Sequence, residues 1–213
     1  VAELPAKHEV NDCKNIEIST LQRTLYKQVS NDYKNLSEQG HKGVMLKALH
    51  DMRMICAHPL KFQQQASISD SPKAKWLIDT LETIKQKHEK VIIFTEFRDI
   101  QLFLKRLLLE RYGLSVTTVN GDSNTNSRRG LTRQGIIDQF QEVNGFNVII
   151  LSTVAVGFGV NIQKANHVIH YTRSWNPAKE DQATDRAYRI GQDKEVYVYY
   201  PSIAATDFET FEI

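Results

Sequence analysis

The stretch Val148-Ile-Ile-Leu-Ser-Thr-Val-Ala-Val-Gly-Phe-Gly-Val-Asn161 decides the fold. Its first four residues are apolar without alternation, so a strand built from them hides both faces, as strands of a parallel sheet do. Ser152 to Asn161 then joins that buried strand to a helix. Runs of the same kind recur at Val91-Ile-Ile-Phe94, Val116-Thr-Thr-Val119, Val168-Ile-His-Tyr171 and Val196-Tyr-Val-Tyr-Tyr200. Helical patterns separate most of them, over Pro72 to His88, Asp99 to Arg111, Leu131 to Phe140 and Ala178 to Ile190. Apolar strands alternating with amphipathic helices predict an α/β fold with a parallel sheet covered by helices on both faces. Ligands of such sheets bind at the carboxyl ends of the strands.

Upstream the pattern differs. Thr20 to Tyr33 carries Leu21, Leu25 and Val29 at i, i+4 and i+8, and Val44 to Ile55 repeats Leu and Met at similar spacing. Gly40 and Gly43 break between the two, and Gln63 to Pro72 turns to the Gln, Ser and Asp composition of a linker. The expected organisation is a helical lead-in over residues 1–70 and an α/β unit over residues 71–213, without an internal repeat.

With 213 residues and 41% hydrophobic content, the chain can bury one sizeable core. Its formal charge of +2 does not announce a polyanion binder, so any such site is a local patch. The two cysteines, Cys13 and Cys56, lie far apart, which argues against a disulfide framework and for a reducing, intracellular compartment. Cys56 and His58 have no second Cys/His pair at zinc spacing, so no metal site is expected. No apolar run approaches the roughly 20 residues that cross a bilayer, no signal-peptide pattern is present, and no membrane partner is expected. The Val1 start and Ile213 end read as a piece of a longer protein.

The sharpest chemistry lies in Asn176 to Gln192, NPAKEDQATDRAYRIGQ. Pro177 suits a first helical position, and Gly191 a left-handed cap. On a continuous helix, Gln182, Arg186 and Arg189 share one face. Two guanidiniums side by side suit a polyphosphate. They equally suit a solvated helix in which Asp185 and Arg189 form an i,i+4 ion pair. Gly157 and Gly159 permit close approach of backbone N–H groups to an anion, with Thr153 adding a hydroxyl, or they make a simple tight turn. Thr95 can bond a phosphate or cap the helix that starts near Asp99; Glu96 is not expected to touch a polyanion. Arg128, Arg129 and Arg133 form a basic cluster, either a solvated helix start or a contact for phosphates. Gly130-Leu-Thr-Arg-Gln-Gly135 has the glycine spacing of a phosphate-cradling loop, but Ile136 stands where its lysine belongs, and no glycine in the chain is followed by lysine.

Several segments together resemble the second motor lobe of the sucrose-nonfermenting (Snf) family of helicase-like DNA translocases, within helicase superfamily two. They are Leu151 to Asn161, Ala165 to Tyr171, Arg173-Ser-Trp-Asn-Pro177 and Gln182-Ala-Thr-Asp-Arg-Ala-Tyr-Arg-Ile-Gly-Gln192. Leu4-Pro-Ala-Lys7 with Leu21-Gln-Arg-Thr-Leu-Tyr26, Leu49 to Pro59, and Lys90 to Phe97 fit the same family in the same order. The resemblance implies a RecA-like lobe preceded by a helical protrusion, in an ATPase that tracks along double-stranded DNA. It implies that Arg186 and Arg189 reach the terminal phosphate of ATP, with Gln182 their partner in the motif and the Gly157–Gly159 loop coupled to the nucleotide cleft. Ser152, Thr153 and Thr95 would meet DNA phosphates. Arg133 with Ile137 and Phe140 fits the family's Arg-x-x-x-Ile-x-x-Phe helix, while the Arg128, Arg129, Arg133 cluster reads as a phosphate contact on its charge and its placement against the helix dipole. ATP and its Mg2+ would be held mainly by a preceding N-terminal RecA-like lobe. Val156 stands where a glycine is commoner, Val160 where leucine is, and Thr172 where an acidic residue is frequent. Bacterial relatives include RNA polymerase recycling factors and phage-defence proteins, and nothing in these residues chooses between such partners.

The rival reading is a degenerate, non-catalytic nucleic-acid- or protein-binding module, against which the intact arginine pair argues. Either way the phosphate-cradling lysine is absent. The chain by itself is therefore expected to show no ATP hydrolysis above background, with or without DNA; turnover that survives rigorous repurification would overturn that expectation.

Overall fold

The computed structural model describes residues 3–40, 43–122, 132–157 and 159–204. Its strands are β1 (Lys7–Val10), β2 (Lys90–Phe94), β3 (Thr118–Val119), β4 (Asn147–Leu151), β5 (His167–His170) and β6 (Val196–Tyr199). Together they form one sheet, parallel at every pairing, in the order β1-β6-β5-β2-β4-β3. The helices are α1 (Thr20–Glu38), α2 (Val44–Ala57), α3 (Pro72–Gln86), α4 (Arg98–Tyr112), α5 (Arg133–Glu142), α6 (Thr153–Val156) and α7 (Pro177–Thr184). This is the RecA-like α/β architecture expected.

Every residue of β2 and β5 is buried, which means that both faces of the central sheet are covered, since successive side chains point to opposite faces. Ile92 sits between Ile149 of β4 and Val168 of β5 in register. These residues, with Phe94, Leu151, Ile162, Ala183, Ala187 and Val198, form the core.

The chain divides into two compact units, Val1–Asn11 with Thr80–Tyr200, and Asp12–Asp79 with Pro201–Ile213. The first holds the sheet, including β1, a strand inside the stretch that the sequence pattern assigned wholly to helices. Its four residues, Lys-His-Glu-Val, carry no apolar alternation; backbone pairing with β6, His8 opposite Tyr197, makes the strand. Two further differences are of length. Val116 and Thr117 fall outside β3, and α7 stops at Thr184 rather than running on to Ile190.

In the second unit, Ser19 caps α1 in a reciprocal capping box with Gln22. Gln22 is buried, and its Nε2 donates to the carbonyls of Ile55 (2.9 Å) and Cys56 (3.2 Å). Those are among the last carbonyls of α2, which lack partners within their own helix. Cys13 and Cys56 are buried free thiols. No described helix is long and apolar enough to cross a membrane.

His170, the last residue of β5, is 0% exposed and lies between the rings of Phe94 and Tyr200, with centroids 5.1 and 5.0 Å away. Burial pushes it down to about 3, and the Arg173 charge pushes the same way. Burial pushes His58 down to about 4 in the second unit. A histidine whose folded pKa lies below its unfolded value, about 6.5, is neutral in the fold. Its stability contribution is complete above about pH 6.5 and is lost as pH falls from there toward the folded value, at about 1.4 kcal/mol per unit. Unfolding midpoints are therefore expected to drop between pH 7 and pH 4.5. His170→Gln, which keeps a polar partner for Thr184, should remove part of that drop, with His58 left to supply the rest; equal pH slopes for variant and parent would refute the assignment.

Candidate functional site

The crossover after β2 leads toward β3, whereas that after β5 leads toward β6 on the opposite side. These neighbouring strands therefore flank a switch point, and their carboxyl ends open the crevice where such sheets bind ligands. Three segments converge there: Thr95–Phe97 after β2, Ser152–Asn161 after β4, and Thr172–Pro177 after β5.

Hydroxyls and one carboxylate tie these segments together. Thr172 Oγ1 donates to Thr95 Oγ1 at 2.8 Å, both residues being buried. Thr95 Oγ1 also accepts from the Phe97 N–H at 3.4 Å, and Phe97, not Thr95, is the N-cap of α4. Thr172 thus bridges β5 to β2. Glu96 Oε1 accepts from both the backbone N–H (2.5 Å) and the hydroxyl (2.7 Å) of Thr153, pinning the start of α6 to the end of β2. Ser152 caps α6 by accepting from the Ala155 N–H. Thr95, Ser152 and Thr153 all lie where these segments meet, and each hydroxyl is already engaged within the protein. Gly157 has an ordinary helical φ of −60°, whereas Gly159 turns at φ +83°. Val156, at the usual glycine position, lies within α6, where a side chain costs nothing, and Val160 is a core residue.

After β5 the chain is organised by a buried ion pair. Arg173 Nε donates to both carboxylate oxygens of Glu180, at 2.8 and 3.1 Å, and Glu180 is 2% exposed. The Tyr200 ring covers the Arg173 guanidinium at 4.6 Å, and burial followed by the Glu180 charge pushes the Tyr200 hydroxyl up to about 12. His170 Nε2 and the Thr184 hydroxyl share a hydrogen bond of 2.9 Å. Its Nδ1 lies 3.9 Å from Glu180, but a ring held neutral by burial makes no ion pair there. Asn176 caps α7 by accepting from the Ala178 N–H, with Pro177 in its first turn.

Gln182 is exposed on α7, but Arg186 and Arg189 lie beyond the helix end, so the three do not share one helical face. The chain continues in tighter turns, with Arg186 N–H to the Ala183 carbonyl and Gln192 N–H to the Arg189 carbonyl. At Arg186 the segment after the β4 loop takes a carbonyl that a helix running to Ile190 would have used. The Arg186 carbonyl accepts from the Ile162 N–H (3.2 Å), and the Ile190 carbonyl from Gln163 Nε2 (2.6 Å). Gln192 Nε2 donates to the carbonyls of Ala165 (3.0 Å) and Ala187 (3.2 Å). Both arginines are half-buried, and among the described residues neither forms an ion pair, with Asp185 or otherwise. Arg186 Nε is buried with no hydrogen-bond partner among those residues.

Arg133 opens α5, whose N-cap Thr132 accepts from the Gly135 N–H, and its guanidinium donates to the Gly121 carbonyl. Arg128 and Arg129 lie outside the described residues. Glu180, Gln163 and Gln192 are participants that the sequence pattern did not single out, and Glu96 and Thr172, though noted there, were given no such contacts. Each acts through contacts across 5 to 77 residues of chain, which no local spacing announces.

The helicase conserved C-terminal domain matches residues 72–191. The chain is 52% identical over 218 residues to the Zorya protein ZorD of Escherichia coli O139:H28, covering 99% of this chain and 20% of that protein. It is 35% identical over 218 residues to the putative ATP-dependent helicase/translocase YwqA of Bacillus subtilis, covering 99% and 23%. The chain thus spans about a fifth of the length of these curated relatives. The solved Sulfolobus solfataricus SWI2/SNF2 ATPase core domain superposes with a TM-score of 0.79 at 28% identity, over 98% of this chain and 42% of that one. The same ATPase core in complex with dsDNA gives a TM-score of 0.73 at 29% identity, over 92% and 40%.

Gly191 turns at φ +99°, and a Cβ there would lie 2.8 Å from Gln163 Nε2. Gly113, which ends α4 at φ +65°, has nothing within 4 Å of the same position. Gly191→Ala should therefore cost about 2–3 kcal/mol, and Gly113→Ala about 1–2 kcal/mol. Chemical denaturation of the two variants checks this; equal losses would show that the Gln163 amide yields without cost.

Proposed function

The chain belongs to the helicase conserved C-terminal domain family, as the second motor lobe of a Snf-type member of helicase superfamily two, and from that premise we propose that it serves a DNA-stimulated ATPase that moves along double-stranded DNA. In this reading the preceding lobe of the same protein holds ATP and Mg2+, and this lobe brings Arg186 and Arg189 to the terminal phosphate. The observation that carries it is the state of those arginines. Both are half-buried on the turn after α7 with no carboxylate beside them, and Arg186 Nε lacks a hydrogen-bond partner among the described residues. A partly desolvated guanidinium without an acceptor is costly, and phosphate oxygens supply what it lacks. An arginine so placed is worth roughly 10³–10⁵ in rate when it neutralises charge that develops in phosphoryl transfer.

Duplex contacts are proposed to go to phosphates, which makes binding sequence-tolerant and salt-dependent. Arg128, Arg129 and Arg133 supply charge. Thr95, Ser152 and Thr153 are buried where the strand exits meet, and a phosphate contact by any of them requires its exposure and exchanges a hydrogen bond that the protein now makes itself. Gln182, exposed on α7, and the Gly157–Gly159 loop border the nucleotide side. An intracellular location goes with this function.

Arg189→Ala in the full-length protein tests the proposal. DNA-stimulated turnover should fall at least roughly 10²-fold, short of the full range because Arg186 remains. ATP affinity should change far less, because the contact matters most late in the reaction. Near-normal turnover by a correctly folded variant would leave Arg189 as a surface charge and sink the proposal.

A further inference from the structure

The arginine turn is held by local turns and also from outside its own segment. Between Thr184 and Gln192, the carbonyls of Arg186 and Ile190 are taken by Ile162 and Gln163, shortly after the Gly157–Gly159 loop. Ile162 N–H donates to Arg186, Gln163 Nε2 donates to Ile190, and Gln192 returns a bond to Ala165. Two of these three are outside the reach of a clean substitution. One is backbone to backbone, and Gln192 also bonds Ala187 and accepts from the Lys194 N–H, so that changing it disturbs several links at once. Gln163 is different. It is half-buried, its amide makes the 2.6 Å bond to Ile190, and it fills the space that Gly191 leaves open.

The loop side of this connection is equally fixed. Gln134 of α5 accepts from the Asn161 N–H (2.9 Å) and donates to the Asn161 carbonyl (3.1 Å), while Gln141 accepts from the Lys164 N–H (3.0 Å). Glu96 holds the loop's beginning at Thr153. Residues 161–164 are therefore a fixed beam, and Gln163 is the side chain by which that beam grips the turn carrying Arg189.

We propose that Gln163 is a positioning residue for ATP hydrolysis, fixing the Arg186–Arg189 turn to the loop after β4 so that the two keep one relative geometry. The proposal rests on the role given above to the arginines. Gln163 touches neither nucleotide nor DNA in this reading; it acts through Ile190. Loss of its donor removes the tether at Ile190 and leaves Arg189 placed by Ile162 at Arg186 and by the Gln192 N–H on its own carbonyl, which allows its side chain to shift. Small misplacements of a charge-stabilising group cost rate and not ground-state binding.

The test uses the full-length protein with Gln163→Met, which keeps length but lacks the donor, Gln163→Glu, which replaces the donor by a repelled acceptor, and Arg189→Ala alongside. Turnover number and KM for ATP are measured with and without duplex DNA, together with the melting temperature. The expected result is a fall in DNA-stimulated kcat of about 10-fold for Gln163→Met, and a larger one for Gln163→Glu, with KM for ATP within about 2-fold and little change in melting temperature. A stability role alone would lower the melting temperature and leave kcat per folded molecule unchanged, which overturns the proposal. So does a kcat within about 2-fold of the parent for both Gln163 variants when Arg189→Ala is strongly impaired. If Arg189→Ala itself turns over normally, the reading of the arginines has failed, and Gln163 positions nothing that the reaction uses.

Discussion

A carboxylate that is 2% exposed must have its charge answered inside the protein, and Glu180 is answered by Arg173. Removing one partner of such a pair strands the other, at roughly 3–5 kcal/mol. That constraint ties together the end of β5, the start of α7 and Tyr200. Arg173 leaves the end of the strand and must turn back onto α7, so the helix starts where Asn176 and Pro177 cap it. The Tyr200 ring closes over the guanidinium, and its other stacking partner is His170 of the same strand. The end of β5, the start of α7 and the residue after β6 are therefore one polar cluster rather than three loops. The arginine turn begins from that anchor.

Much of this architecture is legible in the sequence because both faces of the sheet are buried. Val91 to Phe94 and Val148 to Leu151 read as central parallel strands, and between them α4 ends on the left-handed Gly113 and α5 starts on the Thr132 cap. The parts that escaped have a common cause. β1 exists only because β6 offers it a backbone, and Lys-His-Glu-Val has no pattern of its own. The end of α7 escaped because nothing within Ala178 to Ile190 stops a helix. Ile162, about two dozen residues away, takes the Arg186 carbonyl that a helix running to Ile190 would have used.

The candidate site divides along the same line. Residue types that speak for polyphosphate chemistry, the arginine pair above all, stand out by composition and motif. Residues that only place them do not. Glu96 looked irrelevant because a carboxylate repels phosphate; its observed function is to bind Thr153 within the protein, for which a carboxylate is well suited. Thr172 looked anomalous where an acid is frequent; a hydroxyl there can donate to Thr95 and bring β5 and β2 together. Neither role has a signature in local spacing, since each partner comes from a different strand.

The near-balanced charge of the chain takes on a physical meaning in this arrangement. A formal net charge of +2 over 213 residues provides little long-range attraction for a polyanion. What matters is which cations are left uncompensated. Arg173 is consumed by Glu180, and Arg98 is matched by Asp122 through two contacts of 2.6 Å. Arg186 and Arg189 are compensated by no described carboxylate. Acids thus accompany the buried Arg173 and the exposed Arg98 but not the pair on the turn. Net charge stays low while local charge is kept where an anion from outside can meet it.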